Sequence, residues 1–185
     1  MKKTEDKPTS LISKKHWHTH LVELKLGSWK KHYDFNYRNK IIALTLNHFI
    51  KKNELVIHGY LITGSSIFLV AKTDHRSFEE VIERIELHIA LLLKKYDNKF
   101  SNSISKADFI LDIENIFQTV HQPLFKIKPL QNNYLIKLIT GIKIEIPYLD
   151  PELEYLKLLT KNHPFCSSVD YSGAIGPVEV TLLEV

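Results

Sequence analysis

Apolar and polar positions along the chain fall into short blocks whose period moves between two and nearly four. The densest block is residues 54–73, ELVIHGYLITGSSIFLVAKT, with apolar runs from Leu55 to Ile62 and from Ile67 to Lys72. β-Branched and aromatic residues crowd both arms, and Thr63-Gly64-Ser65-Ser66 supplies turn chemistry, so the block predicts a β-hairpin. Upstream, HWHTHLVELKL (16–26) alternates: His16, His18, His20, Val22, Leu24 and Leu26 share one face, and Trp17, Thr19, Leu21, Glu23 and Lys25 the other. That period of two predicts a strand, broken at Gly27-Ser28. WKKHYDFNYRNK reads as a loop, and Ile41 to Lys52 follows helical spacing up to a turn at Lys52-Asn53. After the hairpin, Ser77 with Glu80 three residues on forms a capping-box pattern. The helix it opens runs to about Lys95, with Phe78, Val81, Ile82, Ile85, Ile89, Leu92 and Leu93 on its buried side.

The order β-α-β-β-α then gives way to a weaker pattern. A polar break, YDNKFSNSISK, precedes a short helix predicted at Ala107 to Val120. Beyond Pro123 and Pro129 the chain reads as extended pieces, Tyr134 to Leu138 and Ile142 to Ile146 among them. Asp150-Pro151-Glu152 opens another helix, to about Thr160, with the acid as N-cap and proline in the first turn. Val178 to Val185 is a final β-rich run. The 185 residues suffice for one domain with a sizeable core. Residues 1–14 read as a disordered basic tail, 15–100 as the core of that domain and 101–185 as its helical and extended C-terminal part.

Composition narrows the function classes. No apolar run reaches the ~18 residues of a membrane span, and the lysines of MKKTEDKPTS have no apolar stretch behind them, so neither a membrane partner nor a secretion signal is expected. One cysteine, Cys166, excludes an internal disulfide and fits a reducing, cytoplasmic setting. The net charge of +4 is uneven: residues 1–40 carry ten Lys or Arg against four Asp or Glu, which is +6 and leaves −2 for the rest. A basic N-terminal part suits a phosphate-backbone partner, and equally a solvated lysine-rich surface. Within it, Trp29, Tyr33, Phe35 and Tyr37 interleave with Lys30, Lys31, His32 and Arg38, which offers aromatic faces for stacking among cations for phosphates. The candidate nucleic-acid-binding set is Trp29, Lys30, Lys31, His32, Tyr33 and Arg38, with Lys72 and Arg76 after the hairpin. His16, His18 and His20 project from one strand face, a spacing open to a metal, but same-face neighbours lie ~7 Å apart and three seldom converge on one ion.

Two blocks carry a resemblance. Gly59-Tyr60-Leu61-Ile62 in the hairpin resembles the central A-Y-V-I-M-x-N-H-x-H-L pattern of HUH-type tyrosine transposases, REP-associated branch. Ser167 to Val180, SSVDYSGAIGPVEV, is similar to the family's S-S-x-x-D-Y-A-G-x-x-G ending. The resemblance covers Trp17 to the C-terminus and implies an α+β fold, a ferredoxin-like antiparallel sheet with helices packed on one face, usually in a homodimer. It also implies two histidines that hold a divalent ion and a helix tyrosine that attacks the phosphate.

Here the two histidine positions fall on Ser66 and Phe68, a weak donor and a side chain without a lone pair. The tyrosine is expected near His88 or Ile89, neither of them a tyrosine, and Tyr96 is about two turns further on. The family's asparagine-proline segment is shortened to Lys161-Asn162-His163-Pro164. No catalytic residue, metal ligand or cofactor is therefore assigned. The leading expectation is a catalytically inactive, transposase-derived protein that binds single-stranded or hairpin DNA, or structured RNA, in a regulatory or assembly role. The alternatives are a nicking enzyme with a relocated site built on His16, His18 and His20 with Tyr33 or Tyr96, and a protein-interaction module in which Phe68 lines an exposed apolar patch.

Overall fold

The computed structural model describes residues 16–74, 77–100 and 123–183. Strand β1 (His18–Leu26) leads through a 3-10 turn (Ser28–His32) into helix α1 (Phe35–Lys51). The hairpin β2 (Leu55–Ile62) and β3 (Ser66–Thr73) follows, then helix α2 (Phe78–Phe100), strand β4 (Phe125–Pro129) and helices α3 (Asn133–Ile139), α4 (Pro151–Asn162) and α5 (Ser168–Tyr171). All pairings are antiparallel, in the order β2-β3-β1-β4, so the chain is an α+β protein. No helix among the described residues is long and apolar enough to cross a membrane.

The predicted N-terminal half is largely as read. Thr63 closes the hairpin turn by donating from its hydroxyl to the Ser66 carbonyl and accepting from the Ser65 and Ser66 amides. Ser77 caps α2 by accepting from the Glu80 amide at 3.3 Å. That helix continues beyond Lys95, through the first residues of the expected polar break, to Phe100. Helix α1 begins six residues before Ile41, because Asp34 accepts from the Asn36 and Tyr37 amides and starts it there. Its first turns hide the apolar period, since two of their inward positions are the polar Arg38 and Asn39.

The two faces of the sheet are covered differently. On one face Leu24, Ile57, Ile67 and Leu69 pack with Ile42 and Leu46 of α1 and Ile85 and Ile89 of α2 into the main core. Each such side chain contributes about 1.5–3 kcal/mol on leaving water. On the other face Leu61, Val70 and Cys166 pack with Leu135 and Ile139 of α3 and Leu156 of α4. Helices therefore lie on both faces, where one covered face was expected.

The source of the difference is the segment 134–138, read as extended but helical in the fold. Asn132 accepts from the Leu135 amide and caps it, and Leu135 and Ile139, four apart, are the buried pair. A short apolar run fits either period until packing decides. The end of α3 comes so close to β2 that a Cβ on Gly59 would lie 2.6 Å from the Ile139 carbonyl oxygen. A bulge between Ile57 and Gly59 accompanies this approach.

Residues 142–146 keep their alternation of burial, yet no described strand pairs with them. The final run likewise forms no ladder up to residue 183; it lies beside β2, with the Thr181 amide donating to the Ile57 carbonyl at 2.8 Å. The helix at 150–160 stands as expected, capped by Asp150 with Pro151 in its first turn. The predicted tail 1–14 and the helix at 107–120 lie outside the described residues.

Candidate nucleic-acid interface

Gly27 ends β1, and the turn after it folds the aromatic and basic segment back onto the sheet. The Trp29 indole donates to the Leu124 carbonyl at 2.8 Å, and its ring meets Phe125 edge-on at 6.2 Å and Tyr33 at 6.3 Å. Trp29 and Tyr33, half-buried against the main core, and the buried Phe125 fasten the start of β4 to the end of β1. Arg38 is 4% exposed; it donates to the Lys30 carbonyl and to the Asn39 amide oxygen, and stacks over Phe35 at 5.5 Å. Burial pulls its pKa down, and Asp34 nearby opposes that. Of this segment Lys31 and His32 are exposed and Lys30 is half-buried.

Lys72 pairs with Thr19, eight residues up β1 from Gly27, so roughly 25 Å separates it from the turn. Arg76 lies outside the described residues. The fold thus divides the expected binding set: its aromatics and Arg38 are packing groups, and its lysines stand at two ends of the sheet.

The histidine cluster is dispersed too. His20 is hydrogen-bonded to the Thr73 hydroxyl at 2.8 Å and stacks on Phe78 at 4.5 Å, and its pKa is lowered by burial first and by His18 second. Among the described residues no group of three or more His, Cys, Asp or Glu side chains is arranged to hold a metal ion.

Ser66 and Phe68 lie on the face opposite α1 and α2. Phe68 packs against the α3-side cluster, while His88 faces α1, its ring stacked on His48 at 4.4 Å and bonded to Thr45 at 3.1 Å. Burial, then His48 and Lys52, lower the His88 pKa. A group on α2 therefore has the sheet between itself and the Ser66–Phe68 positions. Of the two helices on their own side, α3 carries Tyr134, which is bonded to the Asp150 carboxylate, with its pKa pushed up to about 12.

Around Ser66 and Phe68 the ladders set out rows of side chains on one face. Ser66, Lys25 and Lys126 form one row, Leu61, Phe68, Glu23 and Lys128 the next, and Val70 and Leu21 the third. The Ser66 hydroxyl donates to Glu23 at 2.8 Å, and the Lys25 ammonium lies 3.9 Å from the same oxygen. Although β1 is an inner strand, its residues on this face stay open: Thr19, Leu21 and Lys25 are exposed and Glu23 is half-buried. Lys126 is exposed beside them, and Lys128 is half-buried.

Among the described residues, helices α3 and α4 cover the β2 side and not this strip. Lys25, Lys126 and Lys128 were not singled out from sequence. The signal available was the alternation in FKIKP, two lysines spaced by one apolar residue between prolines.

The C-terminal block has a structural role. The Ser167 hydroxyl accepts from the Tyr60 amide at 2.8 Å and donates to the Tyr60 and Ile139 carbonyls. The Gly176 amide donates to Asp170 at 2.9 Å, and the Tyr171 hydroxyl donates to the His58 carbonyl and accepts from the Leu183 amide. Both blocks of the resemblance therefore meet at β2, one clasping the other. In comparisons with known protein families, curated proteins and solved structures, nothing matches this chain.

Proposed function

We propose that this chain is a transposase-derived nucleic-acid-binding protein without strand-cutting chemistry, with single-stranded or hairpin DNA as its ligand. The observation that carries the reading is the chemistry at the two histidine positions of the resemblance. Ser66 is tied to Glu23 and Phe68 packs against apolar neighbours, on an open sheet face bordered by lysines. A metal centre has been exchanged for a surface that attracts phosphate and cannot polarise it.

The strand order β2-β3-β1-β4 with α1 and α2 on one side supports a ferredoxin-like core to which α3 to α5 are added. The clasp between Tyr60 and Ser167 joins the two blocks of the resemblance into one structural unit. Homodimerisation follows the resemblance, and the buried free thiol of Cys166 suits a reducing cytoplasm.

The test combines a gel shift with a cleavage assay, using labelled single-stranded, hairpin and duplex DNA with magnesium or manganese at two salt concentrations. The expected result is salt-dependent binding of single-stranded or hairpin DNA with the strand intact and no covalent adduct. A manganese-dependent nick or adduct would overturn the non-cutting reading, and an absence of binding to every substrate at low salt would overturn the nucleic-acid reading. A second reading, a protein-interaction module, draws on the exposed Tyr155 and Leu158 of α4 and on Leu149 just before it. It becomes the leading one if no nucleic acid binds.

A further inference from the structure

We infer that the open strip along β1 is a single-strand platform: Lys25, Lys126 and Lys128 take the phosphates, and an unstacked base lies against Phe68 with Leu21 alongside. The inference rests on the reading of the chain as a nucleic-acid binder and names the surface and strand class that reading leaves open.

The first argument is the cost of the arrangement. Lys25 and Lys126 are directly opposite each other in the β1–β4 ladder, and like charges so paired destabilise a sheet. Glu23, 3.9 Å from Lys25, offsets part of that repulsion, and an anion bound between the two strands would offset the rest.

The second is the balance of charge on the face. Along the β1 ladders, Lys25, Lys126, Lys128 and Lys72 stand with the acid Glu23, whose carboxylate is bonded to Ser66, lies 3.9 Å from Lys25 and faces Lys128 across the ladder. The third is shape. From Thr19 to Lys25 the inner strand offers ~20 Å of open floor, with α3 and α4 rising on the β2 side. A half-buried phenyl ring in such a floor is reached by a base splayed out of its stack, whereas a duplex keeps its base faces hidden.

The test is fluorescence anisotropy with a labelled oligothymidylate of roughly twelve nucleotides, inside the usual range for a single-strand-binding fold. The probe is titrated across a salt series with the full chain, Lys25→Gln/Lys126→Gln, Phe68→Leu and, as a comparison, Lys31→Gln/His32→Gln. Loss of two phosphate contacts is expected to weaken binding at least tenfold and to flatten the log–log salt slope by about 1.4, at ~0.7 per contact for a single strand. Phe68→Leu is expected to weaken binding roughly tenfold with the slope unchanged, as a lost stacking contact does.

Unchanged affinity and slope in the lysine variant, or a slope change confined to the Lys31/His32 variant, would overturn the platform while leaving a nucleic-acid binder with another surface. Tighter binding of a duplex of the same sequence would overturn it as well. If the wild type binds no nucleic acid at all, the underlying reading falls instead.

Discussion

Three residues show how one atom can decide the outcome. Gly59 is required by proximity: Gly59→Ala would push a methyl to 2.6 Å from a backbone carbonyl that cannot swing aside, so α3 must shift. A loss of about 1–3 kcal/mol is expected, read from the urea midpoint at constant slope. Ser167→Ala removes a hydroxyl that serves the Tyr60 amide and the Ile139 carbonyl inside the core; the Tyr60 carbonyl keeps the Ser167 amide as donor, and leaving the other two groups unpaired should cost about 1–3 kcal/mol in the same measurement. Asp170 and Tyr171 belong to the same clasp, so the fixed spacing of that block is explained by the hydrogen bonds it must reach. Arg38 is the opposite lesson. Its position among aromatics and lysines suggested a phosphate ligand, but its guanidinium is spent on a carbonyl, an amide oxygen and the Phe35 ring.

Among the elements, the contact of α1 with α2 carries a pH dependence. The His88 pKa is depressed in the folded chain by burial, then by His48 and Lys52, and burial also depresses His20 and His163. As pH falls through the ordinary imidazole value of about 6.5, the unfolded chain takes up these protons first. The stabilising contribution is therefore complete above that pH and declines below it. A melting series should show the midpoint dropping on the acid side, and His88→Gln should make the drop shallower; an identical acid slope in the variant would remove His88 from the account. The elements also differ in how well sequence foretold them. The hairpin, α2 and α4 have strong period, turn and cap signals, and each formed where those signals stood. Helix α1 began early because a side-chain cap outranked an apolar pattern interrupted by Arg38 and Asn39. Helix α3 replaced an expected strand because Leu135 and Ile139 found a sheet face to cover.

At the scale of the whole molecule, the arrangement of layers determines what the protein can do. With α2 on one side of the sheet and Ser66 and Phe68 on the other, no group on that helix can act with those positions. Sequence by itself determined the α+β class, the central hairpin, its turn, and the apolar sides of β1 and α2. Each of these depends on local period, local caps or the identity of a side chain, which a chain carries before it folds. Tertiary structure alone decided that helices cover both faces, that the aromatic loop is a packing unit, and that Lys25 meets Lys126 across a ladder. Those facts depend on register and on contacts between residues a hundred positions apart, where the deciding quantity is which surface remains after the core has closed.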